Sequence, residues 1–147
     1  MRAIPVENDF YVAGQIGPDD IETMARAGVT AIINNRPDGE EPGQMAKAEA
    51  SGLCERHGMT YQFVPVTAET MDRTAVEAFA DALKAARDTG GAVVAHCRSG
   101  TRSIHLWAMA EVHAGRQPDE VAARVAAAGY DPNGVIPRLQ AIVQGRF

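Results

Sequence analysis

The 147-residue chain carries 14 basic against 19 acidic residues, a formal charge of −5, and is 46% hydrophobic. An acidic balance without a basic run argues against nucleic acid and acidic membrane surfaces as partners. No apolar stretch approaches the roughly 20 residues that a membrane-crossing helix needs. The length suits a single domain, residues 1–147, with a proper core. Residues 1–11 lack the apolar segment of a signal peptide, and Cys54 and Cys97 give no disulfide framework. A reducing cytoplasm is the expected compartment.

Taken in order, the predicted elements alternate. Residues 10–14 read as a short strand. Pro18, Asp19 and Asp20 open a helix with proline and acids in its first turn, and Ala27-Gly28 closes it. Residues 29–34 form an apolar strand with a polar end, and 36–43 form a loop marked by two prolines and two glycines. Residues 44–57 are helical up to Gly58, and 59–66 alternate as a strand. Thr70, Met71 and Asp72 supply caps for a helix to Asp88, with Ala75, Phe79, Ala82, Leu83 and Ala86 on one face. A buried strand at 92–95 leads through the loop 96–103 into a helix over 104–112. Further helices are expected from Gln117-Pro118 to Ala128 and over 134–144. Strands separated by helices predict a central, mostly parallel sheet of four to five strands flanked by helices, an α/β fold. Ligand sites in such folds lie beyond the carboxyl ends of the strands, which brings residues 34–38 and 66–72 towards the loop 96–103.

That loop reads His96-Cys97-Arg98-Ser99-Gly100-Thr101-Arg102-Ser103. A strand, a small-residue loop and a helix in succession aim several backbone N–H groups and the positive end of a helix dipole at one point. The amides, the dipole and Arg98 or Arg102 all favour the thiolate of Cys97, the nucleophilic form. The expectation is a cysteine enzyme acting on a small anion or an anionic group, with Cys97 and Arg102 catalytic and Arg98, Ser99, Gly100, Thr101 and Ser103 binding the anion.

Other polar residues have ordinary readings beside functional ones. Asn34 and Asn35 end a strand and can satisfy loop backbone. Arg36 and Asp38 can pair with each other or face the ligand. His96 is expected to orient the loop through hydrogen bonds rather than act as a base. Cys54 reads as structural, with a role as resolving cysteine the lesser alternative. His105 and His113 lack partners at metal-ligand spacing, so neither a metal nor another cofactor is implied.

His-Cys followed by an arginine and a serine resembles the phosphate-binding loop of cysteine-dependent phosphatases. Here only four residues separate Cys97 from Arg102 where that loop has five; the shorter spacing resembles rhodanese-type sulfurtransferases. The segments 12–15, 32–43, 63–66 and 96–103 together resemble the beta-lactamase hydrolase-like phosphatase-fold family, over about residues 3–114. The resemblance implies a dual-specificity-phosphatase-like fold. It also implies a persulfide dioxygenase as a partner, since members occur fused to such domains.

Two chemistries then compete. A phosphatase would use Cys97 to attack phosphorus, the loop amides and Arg102 to hold the oxygens, and Ser103 to assist departure of the thiol. It also needs a general acid, and Thr67-Ala68 stand where the resemblance would place one; Glu69, Asp72 and Asp38 are the nearest substitutes. Sulfur transfer from thiosulfate or a small persulfide to an acceptor thiol needs no strong acid. Arg102, Arg98 and Arg36 would steer the anionic donor. The short loop and the missing acid favour sulfur transfer, with phosphate-monoester hydrolysis the alternative. A non-catalytic anion or phosphotyrosine reader on the same scaffold is a third reading.

Overall fold

The computed structural model describes residues 2–147. Five strands form one sheet in the order β1 (Ala3–Glu7), β2 (Phe10–Ala13), β5 (Ala92–His96), β3 (Val29–Asn34), β4 (Thr60–Phe63). β1 runs antiparallel to β2, and every other pairing is parallel. The pleat sends successive side chains to opposite faces, and the two faces carry separate cores. Phe10, Val12, Ala31, Ile33, Val93 and Ala95 face one way. Ala13, Ile32 and Val94 face the other.

The helices divide between those faces. α1 (Pro18–Arg26) and α2 (Lys47–Arg56) cover the second core through Ile21, Met24, Ala50 and Cys54. α3 (Arg73–Arg87), α4 (Thr101–His113), α5 (Pro118–Ala127) and α6 (Ile136–Val143) cover the first. Local signals set their ends. The Asp20 carboxylate accepts the Gly17 N–H and Pro18 opens the first turn of α1. Asp72 caps α3 by accepting the Ala75 N–H at 3.0 Å. α4 is buried on nearly every side, from Ile104 through Trp107 to Val112, because α3, α5 and α6 surround it. The amphipathic signal that marks α1 and α3 is therefore weak in α4.

Several elements depart from the sequence expectation: β4 ends three residues short of the expected 59–66, and α4 starts three residues before the expected 104. β1 falls in a stretch to which no element was assigned. Pro5 and Glu7 suit an edge strand, which needs neither a full set of donors nor an unbroken apolar face. The helix expected over 44–57 begins three residues late, at Lys47, since residues 36–46 are committed to the loop described below.

Candidate active site

β5 lies between β2 and β3, with His96 in register with Ala13 on one side and Asn34 on the other. The chain leaves this central strand at Cys97 and enters α4 at Thr101, so the loop 97–100 sits at the carboxyl end of the sheet. Its carbonyls are held on the outside. The Gln15 N–H donates to the Arg98 oxygen at 3.1 Å, and the Tyr130 hydroxyl donates to the Ser99 oxygen at 3.0 Å. On the inside, the Gly100 N–H donates to Cys97 Sγ at 3.1 Å. Gly100 adopts a left-handed φ of 94° as the residue preceding α4, a conformation that favours glycine. Cys97 is 1% exposed, so its sulfur lies on the floor of a nest at a helix N-terminus.

Arg102 closes one side of the nest. Its Nη1 and Nη2 donate to both oxygens of Glu40 at 2.9 Å, and Nη1 also donates to the Val66 carbonyl at 2.9 Å. Glu40 thus takes the terminal nitrogens and leaves Nε outside those bonds. The pair raises the Arg102 pKa, chiefly through Glu40, with negative charge at Cys97 contributing as well. Arg102 therefore interacts with both its carboxylate partner and Cys97. Glu40 is pulled down to about 2, first by the Arg102 hydrogen bonds and, against the opposing effect of burial, by Arg36. It is a fixed anion, not an acid with a proton to give.

Arg36 anchors that carboxylate from behind. It is 1% exposed and donates Nε to Glu40 at 2.8 Å, Nη1 to Gln15 Oε1 at 3.1 Å and Nη2 to Glu41 at 3.0 Å. Asn35 is buried, with its amide nitrogen donating to the Val64 carbonyl and its oxygen accepting the Ser103 hydroxyl at 2.8 Å. Arg98 points outward at 70% side-chain exposure, 3.9 Å from Glu41. Ser99 and Thr101 hydroxyls lie 3.2 Å apart at the rim.

Several expectations need correction. His96 meets the loop less directly than expected: both ring nitrogens are enclosed without a well-aligned hydrogen bond among the described residues, and the polar group that bears on the ring is the Cys97 backbone. Burial lowers its pKa to about 4 against the opposing effect of that backbone group, so it is neutral at pH 7. The Ser103 hydroxyl is engaged by Asn35 rather than left for the sulfur. Asp38 does not pair with Arg36, whose nitrogens go to Glu40, Glu41 and Gln15; its carboxylate accepts the Lys47 N–H at the start of α2. Asp72 is spent on the cap of α3. Glu69 is exposed in the 67–71 loop.

Sequence reasoning did not single out Glu40, Gln15 or Tyr130. Glu40 lies within the 32–43 stretch that carried the resemblance, but an acid in a loop shows no sign of facing an arginine 62 residues away. Tyr130 meets the loop across 31 residues with no motif to mark it. No group of three or more His, Cys, Asp or Glu that could hold a metal occurs among the described residues. Nor does any helix there reach the length and apolarity needed to cross a membrane.

The chain has relatives in both sequence and fold. A Xylella fastidiosa (strain 9a5c) protein named beta-lactamase hydrolase-like protein is 39% identical over 141 residues, covering 95% of this chain and 32% of its own length. The chain thus spans about a third of that relative. The crystal structure of a candidate phosphatase from Neisseria meningitidis superposes with a TM-score of 0.80 at 31% identity, covering 95% of this chain and 96% of that one. One from Shewanella putrefaciens gives 0.73 at 20% identity, covering 95% and 91%, a likeness of fold. The fold is that of the dual-specificity and tyrosine phosphatase-like proteins. The family described as beta-lactamase hydrolase-like protein, phosphatase-like domain, matches residues 2–114 and so takes in β1 to β5, the 36–44 loop and the Cys97 nest, and this chain belongs to it.

Proposed function

We propose that this chain is a cysteine-dependent phosphatase that hydrolyses phosphate monoesters with good leaving groups. The observation that carries the reading is the recessed Cys97 sulfur under the Gly100 amide, with Arg102 fixed beside it on a phosphatase-type scaffold. The Cys97 thiolate attacks phosphorus, the P–O ester bond breaks, and the leaving oxygen takes the bond's electron pair. Loop amides and the free edge of Arg102 meet the charge on the phosphoryl oxygens. Water then attacks the cysteinyl phosphate, releasing phosphate and restoring the thiolate. The acids near the nest are Glu40, held as an anion, and Asp38 and Asp72, bonded to helix N–H groups. The leaving group therefore departs without strong protonation. Phenolic oxygens, with a pKa of about 10, leave far more readily than aliphatic alkoxides, which makes aryl phosphates of the phosphotyrosine type the favoured class.

A second reading rests on the same lack of an acid and on the four-residue spacing from Cys97 to Arg102. Here the thiolate attacks the outer sulfur of thiosulfate, the S–S bond breaks, and sulfite leaves with its electron pair. The Cys97 persulfide then yields its outer sulfur to an acceptor thiolate. The order adopted reverses the preference drawn from sequence, because the structural relatives weigh toward phosphatase. A phosphate-release assay with p-nitrophenyl phosphate, run beside intact-protein mass spectrometry after thiosulfate, tests both. Turnover without sulfur loading supports the first reading; gain of one sulfur on Cys97 without phosphate release replaces it with the second. Phosphate binding equal in wild type and Cys97→Ser, with neither turnover nor loading, overturns both in favour of an anion reader. On either catalytic reading a thiol-dependent partner such as a persulfide dioxygenase remains a proposal to be tested by co-purification.

A further inference from the structure

Two hydrogen bonds at opposite ends of one peptide unit connect Cys97 to the far C-terminal region. The Ser99 carbonyl accepts the Tyr130 hydroxyl at 3.0 Å, and the Gly100 N–H, part of the same peptide unit, donates to Cys97 Sγ at 3.1 Å. No peptide bond among the described residues is cis. In a planar trans unit the C=O and N–H vectors oppose each other, so fixing the oxygen fixes the direction of the N–H. We infer that Tyr130 is a positioning residue: by clamping the Ser99 carbonyl, its hydroxyl keeps the Gly100 amide aimed at the nucleophilic sulfur.

The neighbouring peptides show why this unit needs a clamp. The Arg98 carbonyl is held by the Gln15 backbone, and the Gly100 carbonyl accepts the Ile104 N–H as the first turn of α4. The Ser99 carbonyl has a side chain instead. Next to it stands Gly100 at φ 94°, a residue whose backbone rotates freely enough for the unit to turn over. The space a side chain would fill at Gly100 is taken by the Tyr130 phenol: a Cβ there would overlap the hydroxyl and crowd the ring. Tyr130 is itself fixed, since its N–H donates to the Val125 carbonyl at the end of α5, beyond Gly129 at φ 92°. Burial is the main cause raising the Tyr130 pKa, with negative charge at Cys97 adding to it. The phenol thus stays protonated and able to donate across the neutral range. It lies outside the residues 2–114 that the family match covers.

This role rests on Cys97 as nucleophile but not on which group Cys97 transfers. Tyr130→Phe keeps the ring and its packing and removes only the donor. The test compares iodoacetamide alkylation of Cys97, followed by peptide mass mapping, in wild type and variant at pH 7 and at about pH 10, with melting temperatures as the folding control. Loss of a well-aimed bond to a charged group should slow alkylation at pH 7 by roughly tenfold. That gap should close near pH 10, where an ordinary thiol is ionised unaided. The fall in turnover should appear in kcat rather than KM. Equal rates at pH 7, or equal slowing at both pH values, overturn the positioning role while leaving the nucleophile in place. A wild-type Cys97 that alkylates no faster than free cysteine overturns the nucleophile reading and this inference with it.

Discussion

Two arginine–carboxylate clusters lie at opposite ends of the sheet. At the amino ends of the parallel strands, Glu7 accepts Arg87 at 2.7 Å, Arg116 at 2.9 Å and the Trp107 indole N–H at 3.2 Å, while Arg116 also reaches Glu111 and Glu120. At the carboxyl ends, Glu40 accepts Arg102 and Arg36, and Arg36 also reaches Glu41 and Gln15. The residue types are nearly the same, but the surroundings are not. Burial pushes the Glu7 pKa up, and three donors from α3, α4 and the α4–α5 turn outweigh it; the result is a joint that ties β1 to the helical layer. Around Glu40, one arginine is sealed in the protein and the other also interacts with Cys97, with its Nε outside the carboxylate pair. An ion network marks a site when one of its members has a bonding edge left beside reactive chemistry.

The sharpest tests act on the carboxyl end. Cys97→Ser should reduce turnover to background in either assay while thermal unfolding stays within a few degrees of wild type. Arg102→Ala should slow the reaction by about 10² to 10³, the usual effect of losing a donor that stabilises developing charge. Arg102→Lys should recover little of it, because an ammonium cannot hold Glu40 through two parallel bonds and still present a third edge.

The next effect is on stability and concerns His96. Its folded value, about 4, lies below the ordinary 6.5, so the unfolded chain binds a proton that the folded one refuses. Stability should be complete above pH 6.5 and fall by about 3 kcal/mol as pH drops to about 4, a slope set by the proton difference. Urea midpoints at pH 7 and 4.5 check this, and His96→Met should flatten the slope. Glu40 acts in a lower window: its depressed value means that its contribution is lost between pH 4.5 and about 2.

Glu40→Gln should cost about tenfold in kcat/KM, since the amide still accepts from Arg102 but without charge assistance. Its melting temperature should fall by a few degrees, since the charge paired with Arg102 and the buried Arg36 is lost, an effect moderated by the part exposure of the carboxylate. The counterpart at the other end should differ in activity. Arg116→Met should lower stability by about 1 kcal/mol, as expected for a partly exposed network, and leave kcat/KM unchanged. Equal activity losses in the two variants would erase the distinction between joint and site.

Much of this was legible from residues alone. The strand–loop–helix order around Cys97, the helix opened by Pro18, the capped helix from Asp72 and the largely parallel sheet all follow from short-range pattern. That Thr67 and Ala68 stand where the resemblance would place a general acid was also visible. What was not legible depends on partners distant in the chain. Asp38 read as a partner of Arg36 or one of three substitutes for the missing acid, and its carboxylate instead accepts the Lys47 N–H. His96 read as a hydrogen-bonding residue until both ring nitrogens proved enclosed. Glu40 and Tyr130 carry no local mark at all.

The sequence by itself determined most of the elements and marked Cys97 as the candidate nucleophile, because caps, alternation and loop composition act within a few residues of where they are written. Only the tertiary structure decided which arginine is sealed and which is presented, which acid is an anion and which a helix cap, and what holds the Ser99–Gly100 peptide. Those outcomes depend on burial and on distances between segments that only the packed sheet and helices bring together.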